Sequence, residues 1–116
     1  MKATVLSVDY APEDLYDQVP FSCELVRSLP GADRDDYWLG RLERPLRHST
    51  NDGLKTIHHV VLVSRYEGET IHPRIGQITV GISYVVDESQ VDLSALDLTK
   101  CLYVAIGEVK IDAPGS

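Results

Sequence analysis

Apolar and polar side chains alternate along much of this chain with a period of two residues, most clearly over residues 78–86. One face of this segment carries Ile78, Val80, Ile82, Tyr84 and Val86. Such alternation is typical of a strand with one buried face. We therefore predict a strand here, with its apolar face directed into the core.

Five further segments have strand character. They are residues 2–10, 21–29, 37–47, 56–66 and 101–111. A helix over residues 22–28 is the alternative for the second of these, but a strand is preferred because a hairpin partner follows it. Pro45 has no backbone donor, so the strand edge is predicted to be unpaired or bulged at that residue.

Turn-forming residues separate these segments. Asp52-Gly53 favours a tight turn, so residues 37–66 are predicted to form one antiparallel hairpin that turns within residues 49–54. The connection over residues 87–100 is predicted to contain one helical turn around residues 92–96.

A short helix is predicted near residues 12–19, between the first two strands. Pro12 suits the first turn of a helix, and Pro20 limits the helix to about two turns. Leu15, Tyr16 and Val19 would form its apolar stripe.

Together these elements predict a mainly β fold, with an α+β arrangement as the alternative. About six antiparallel strands would curl into a small barrel or a two-sheet sandwich, because either arrangement buries the aliphatic faces and reduces exposed strand edges. The 116 residues are expected to form a single domain spanning 1–116.

The chain is acidic, with a formal net charge of −7. Residues 1–36 hold eight acidic and three basic side chains, residues 37–77 four and six, and residues 78–116 six and two. An acidic surface repels phosphate groups and anionic lipids, so neither a nucleic acid nor a membrane is an expected partner. A basic protein would be attracted, although mild acidity also serves solubility alone.

The N-terminal apolar run is too short for a signal peptide, and no segment approaches the length of a membrane-spanning helix. A cytoplasmic location is therefore expected. Cys23 and Cys101 lie far apart and outside any C-x-x-C pair, so two reduced thiols are favoured over a disulfide.

No motif for nucleophilic or metal-assisted catalysis is present, and no cofactor is predicted. His58 and His59 are adjacent in a predicted strand, so their rings should point to opposite faces and cannot share one metal ion. A turn centred on Asp52-Gly53 would place His48 opposite Ile57 and diagonal to His59, and a one-residue shift would place it beside His58. A third ligand is missing in either case, so no metal site is expected.

Basic residues concentrate near the predicted hairpin turn. A small barrel that binds an anionic small molecule, or an enzyme, could use Arg44, Arg47, His48, His58 and His59. A solvated hairpin tip explains the same residues without any ligand.

The leading hypothesis is a non-enzymatic domain that binds a basic partner, for example as a stoichiometric inhibitor or a toxin-neutralising protein. Acidic residues beside aromatic ones are typical of such an interface, and Trp38 also fits a core position. The predicted partner-binding residues are Asp33, Asp35, Asp36, Tyr37 and Trp38. Glu13, Asp14 and Asp17 are expected to add to the same field.

Overall fold

The computed structural model describes residues 1–29, 37–66, 71, 76–92 and 96–112. The strands among them are β1 (Lys2–Asp9), β2 (Phe21–Leu29), β3 (Tyr37–Thr50), β4 (Gly53–Ser64), β5 (Gln77–Tyr84) and β6 (Leu102–Asp112). A one-turn helix, α1 (Glu13–Tyr16), lies between β1 and β2. Two 3₁₀ turns, Glu88–Asp92 and Leu98–Lys100, lie between β5 and β6. The predicted strands and the short helix are thus confirmed, whereas the helical turn expected around residues 92–96 falls partly outside the described residues.

The strands form a closed barrel in sequence order, and every neighbouring pair is antiparallel. β6 closes the barrel by pairing with β1, where Lys2 lies opposite Asp112 and Val5 opposite Val109. The barrel, and not the sandwich, is therefore the observed solution to burying six half-apolar strands. None of the helices among the described residues is long and apolar enough to cross a membrane.

The barrel interior is filled by aliphatic side chains. Ile78, Val80, Ile82 and Tyr84 are all buried, as predicted. Gly107 makes room for Ile82, because a Cβ placed on it would lie 2.8 Å from Ile82 Cδ1. Side chains of complementary size on neighbouring strands therefore fill the narrow interior.

Val86 does not share the core with the other residues of its predicted face. β5 ends at Tyr84, and the Val86 side chain is 42% exposed. Val85 is buried instead, in a second cluster on the outer surface of the sheet with Leu39, Val61 and Leu96. The alternation predicted for Val86 fails because the chain leaves the β-ladder after Tyr84 to cover this outer cluster.

The β3–β4 hairpin is confirmed, but its register differs from both predicted registers. Thr50 pairs with Gly53 around an Asn51-Asp52 loop, so His48 lies opposite Lys55 and not Ile57. Gly53 has a φ of 114°, which suits glycine at the exit of the turn.

A large bulge interrupts the same hairpin around Pro45. Arg41 pairs with His59 and Leu46 pairs with Ile57, so β3 has three more residues than β4 between these two points. The predicted irregularity at Pro45 is confirmed, because the ring nitrogen has no hydrogen to donate.

Three connections between strands lie at the same end of the barrel: a short helix, a tight turn and a longer segment with 3₁₀ turns. This end, called the helix end below, carries α1, the β3–β4 turn and the β5–β6 connection, since successive strands alternate in direction. The opposite end carries the N-terminus and the chain positions that follow β2 and β4.

The helix α1 closes part of the helix end by replacing a missing strand. β2 pairs with β3 only as far as Leu42, so none of the described strands lies beside this edge of β3 beyond that point. Leu15 of α1 is fully buried in the barrel core. Gln18 Nε2 donates to the Arg47 carbonyl oxygen at 2.8 Å, and the Arg47 N–H donates to Gln18 Oε1 at 2.7 Å. The Ser49 N–H donates to Asp14 Oδ2 at 2.8 Å.

We expect Gln18→Ala to lower the free energy of unfolding by about 1–2 kcal/mol, because it leaves both backbone groups of Arg47 without this partner. Urea unfolding followed by circular dichroism measures the change. Gln18→Glu tests the two hydrogen bonds separately, because it keeps the acceptor for the Arg47 N–H and loses the donor to the Arg47 carbonyl oxygen. A Gln18→Ala variant with an unchanged midpoint would show that the side chain does not hold α1 on the barrel.

Candidate functional site

Five exposed acidic and aromatic residues lie in α1 or within four residues of it in the chain, and they are called the acidic tyrosine face below. It consists of Asp9, Tyr10, Glu13, Tyr16 and Asp17. The last three share one side of the helical turn because they are three and four residues apart. The Ala11 N–H donates to the Tyr16 hydroxyl at 3.4 Å, which holds the Tyr16 ring beside the Tyr10 segment.

Tyr10 is the most unusual residue of this face. It has a φ of 55°, a left-handed conformation that bulky side chains rarely adopt, and its side chain is 85% exposed. Such a conformation costs free energy, and such residues concentrate at binding and catalytic sites. Tyr16 is 46% exposed, so it does not belong to the buried stripe predicted for the helix.

A second group of polar side chains, partly or fully buried, lies where α1 contacts the barrel. The His48 and Tyr84 rings meet edge to face with their centroids 5.2 Å apart, and His48 Nδ1 lies 4.0 Å from Asp14 Oδ2. Asp14 Oδ1, His48 Nδ1 and the Tyr84 hydroxyl are buried without a hydrogen-bond partner in the described part of the chain. Burial, followed by the charge of Asp14, raises the pKa of Tyr84 to about 12, so its phenol stays protonated at neutral pH.

The three histidines in the described part of the chain do not converge. His48 lies beneath α1, His58 is exposed, and His72 lies outside the described residues. His59 Nδ1 lies 2.8 Å from Glu88 Oε2 in the β5–β6 connection. Within the described ranges, no group of three or more possible metal ligands occurs.

The predicted opposite orientation of His58 and His59 is also wrong. Ile57 and Val60 both belong to the barrel core although they are three residues apart. The two histidines between them therefore both lie outside the core, at the point where β3 bulges and the alternation of β4 changes phase.

The two arginines of the alternative ligand site lie in a groove of about 460 Å³ between α1, the start of β2 and β3. Arg44 and Arg47 line it, and so do the carboxylates of Asp17 and Glu43. None of the three predicted histidines lines this groove. Its mixed charge gives little support to selective binding of an anion.

The residues of the predicted partner-binding site divide between two environments. Tyr37 is partly buried against the outer cluster, and Trp38 is partly buried against the barrel core. Asp33, Asp35 and Asp36 lie outside the described residues. The flanking residues Leu29 and Tyr37 lie at the barrel end opposite α1.

Neither cysteine has the properties of an activated nucleophile. Both are free thiols; Cys23 is buried in the core, and Cys101 is half-buried. Burial, followed by the charges of Glu24 and Glu43, raises the pKa of Cys23 to about 12. Burial and then Asp97 also raise the pKa of Cys101, which lines a groove together with His48. Because catalytic cysteines require a lowered pKa, this pairing does not resemble a cysteine–histidine active site.

Sequence reasoning missed Tyr10, Gln18 and Tyr84 as residues of interest. The sequence predicts Tyr10 at the end of a strand, and nothing in the local pattern indicates its left-handed backbone. Gln18 bonds to Arg47, and Tyr84 contacts His48; both partners lie in β3, far from Gln18 and Tyr84 in sequence. Only the acidic residues near position 14 carried a signal, through the excess of negative charge in residues 1–36.

Comparison of the chain with protein-family models, curated proteins and solved structures finds no match.

Proposed function

We propose that this domain binds a positively charged protein through the acidic tyrosine face and does not itself catalyse a reaction. A stoichiometric inhibitor or a toxin-neutralising protein is the kind of activity that this surface fits. The observation that carries the proposal is the Tyr10 side chain, which is 85% exposed on a strained backbone and flanked by exposed carboxylates.

Tyrosine is well suited to this role. Its ring supplies a large contact area with few rotatable bonds, and tyrosine is enriched among the residues that dominate binding energy. Tyr10 and Tyr16 are both exposed, and the Tyr16 hydroxyl accepts from the N–H of Ala11, which follows Tyr10, whereas Tyr37 and Trp38 are partly buried. Exposed aromatic side chains for a partner are therefore found at α1, and not at the predicted positions Tyr37 and Trp38.

The charge of the face is of one sign. Asp9, Glu13 and Asp17 are exposed, and no lysine, arginine or histidine occurs in residues 3–26. Clustered charge attracts an oppositely charged partner and accelerates the encounter. Asp14 differs from its neighbours, because its carboxylate accepts from Ser49 and points toward His48.

We expect two variants of the face to weaken binding to the partner in different ways. Neutralisation by Asp9→Asn, Glu13→Gln and Asp17→Asn should slow association about tenfold at low salt and much less at high salt, because screening removes the same attraction. Tyr10→Asn should raise the dissociation rate by about tenfold or more, because an aromatic anchor is lost. A partner captured from the native lysate and identified by mass spectrometry would be used for both measurements by surface plasmon resonance.

The matched control is Glu24→Gln, Glu43→Gln and Glu108→Gln, which changes the net charge equally at exposed positions outside the face. It should bind like the parent chain. Tyr10→Asn should also retain or gain stability, since asparagine tolerates a left-handed backbone better than tyrosine. If Tyr10→Asn and the neutralised face both bind like the parent, the proposal is wrong.

The acidic segment Asp33, Asp35 and Asp36 stays a separate prediction. A variant with all three changed to asparagine should be measured in the same series. Slower association of this variant alone would assign the interface to the barrel end opposite α1.

A further inference from the structure

Strand β4 extends beyond the strand that pairs with it on one side. The last β4–β5 pair is Val60 with Tyr84, followed by one bond from the Val85 N–H to the His59 carbonyl oxygen. Residues 53–58 of β4 therefore have a strand neighbour only in β3, within the part of the chain that the structure describes. Residues 46–57 of β3 and β4 together form a hairpin arm, and Leu46 and Ile57 at its base lie in the barrel core.

The hydrogen bonds of β3 show which backbone groups of β4 face outward. Arg47 and Ser49 direct their N–H groups toward Gln18 and Asp14, away from β4. Their partners Thr56 and Leu54 are therefore in non-hydrogen-bonded pairs, and direct their own N–H and C=O groups away from β3. None of these four backbone groups makes a hydrogen bond to another described residue.

The backbone groups on the β3 edge of the arm are hydrogen-bonded to other residues, whereas those on the β4 edge are not. On the β3 edge, Gln18 and Asp14 occupy the backbone groups, and Pro45 removes a donor. On the β4 edge, Leu54 and Thr56 are exposed and uncovered. Exposed edges are templates for another strand, and proteins that do not use them generally cover them.

A groove of about 380 Å³ lies between the inner face of the arm and the ends of β5 and β6. Lys55 and Lys100 line it together with apolar surface from Val86 and Leu102, and none of its described lining residues carries a carboxylate. Hydrogen bonds and then the charge of Lys100 lower the pKa of the Asp87 and Asp97 carboxyl groups, so both lie close to Lys100 and the positive charge of the groove rests mainly on Lys55. At physiological salt, screening over about 8 Å lets this charge act independently of the more distant negative charge.

We propose that an extended acidic peptide segment of another protein binds here as an added strand along Leu54 and Thr56. Its backbone would bond to the free edge, an acidic side chain would face Lys55 or Lys100, and an apolar one would pack on Val86 and Leu102. A second copy of this chain fits less well, because two-fold pairing of the arms would bring two lysine-bearing edges together. The edge and the lysine groove share no residue with the acidic tyrosine face, although the Leu54 side chain lines a groove that Asp17 also lines.

The test is selection of a displayed library of random linear 12-residue peptides against the whole chain, followed by affinity measurement on the synthesised binders. We expect binders with acidic and apolar residues in alternation. Thr56→Pro should weaken them about tenfold or more, because it removes an edge donor without removing a bond to β3. In the unaltered chain, hydrogen exchange at the Leu54 and Thr56 amides should slow when peptide binds, a result that requires no variant to fold.

Lys55→Glu with Lys100→Glu should weaken binding to a similar extent, whereas Arg41→Glu with Lys110→Glu, which changes the net charge equally elsewhere, should not. The neutralised acidic tyrosine face should bind the peptides like the parent, so the two proposals fail separately. The inference is overturned if no peptide is enriched, if binders are basic, or if Thr56→Pro binds them unchanged. A dimer of the parent chain that Thr56→Pro dissociates would assign the edge to a second copy and overturn it equally.

Discussion

Ile82→Ala is expected to lower the free energy of unfolding by about 2–5 kcal/mol, through lost burial and the cavity that remains. Ile82 is completely buried in the barrel and fills the space above Gly107. Surrounding strands are held by hydrogen bonds on both sides in a closed barrel, so they have little freedom to collapse into the cavity. Chemical denaturation at neutral pH, with an unchanged slope, would give the value directly.

Val86→Ala is the matched control, because the same alternation in sequence places both residues on one face. Its side chain is 42% exposed beyond the end of β5, so it should cost less than about 1 kcal/mol. Equal losses for Ile82→Ala and Val86→Ala would mean that the barrel core does not end where β5 does.

The second large effect is expected at alkaline pH, where the folded domain should lose stability. Cys23 has a pKa of about 12 in the folded state against 9.0 for a free thiol, and Tyr84 has about 12 against 10.0. Above pH 9 the unfolded chain releases these protons before the folded one does, so unfolding becomes more favourable as pH rises. Linkage predicts a loss of about 3 kcal/mol between about pH 8 and about pH 10.5, most of it from Cys23. Below pH 8 neither group contributes a pH dependence, because both are protonated in both states.

Urea unfolding at several pH values, in a reducing buffer, measures this loss. The Cys23→Ala, Tyr84→Phe double variant should show a much flatter pH dependence. Tyr84→Phe alone should be nearly neutral at pH 7, since the buried hydroxyl has no partner among the described residues. An equally steep decline in the double variant would place the cause in other groups.

The two proposed surfaces flank the same end of the barrel and have opposite character. The acidic tyrosine face lies on α1, and the basic groove lies beside the β4 edge of the hairpin arm. The arm is common to both, because α1 is anchored on its β3 edge. Binding at either site can therefore be tested for coupling by measuring the affinity of one partner with the other bound.

The strand content, the hairpin and the short helix could be predicted from the sequence alone. Two-residue alternation and β-branched side chains act locally, and they locate most of each strand and its apolar face, although β4 begins at Gly53 and not at residue 56. Pro12 and Pro20 restrict the helix through their own backbones, and Pro45 produces its bulge for the same reason. These features depend on residues that are neighbours in the chain, so tertiary contacts were not needed to predict them.

Closure, register and the surfaces were decided only by the tertiary structure. Pairing of β1 with β6 joins residues about a hundred positions apart, and no local pattern specifies it. The register of His48 against Lys55 depends on how the Pro45 bulge lets Leu46 meet Ile57. Val86 continues the alternation in sequence and still leaves the core, because β5 stops where the chain turns to cover the outer cluster. Tyr10 and the β4 edge are exposed for the same physical reason, since exposure depends on which distant elements pack against a residue and not on the residue's own neighbours.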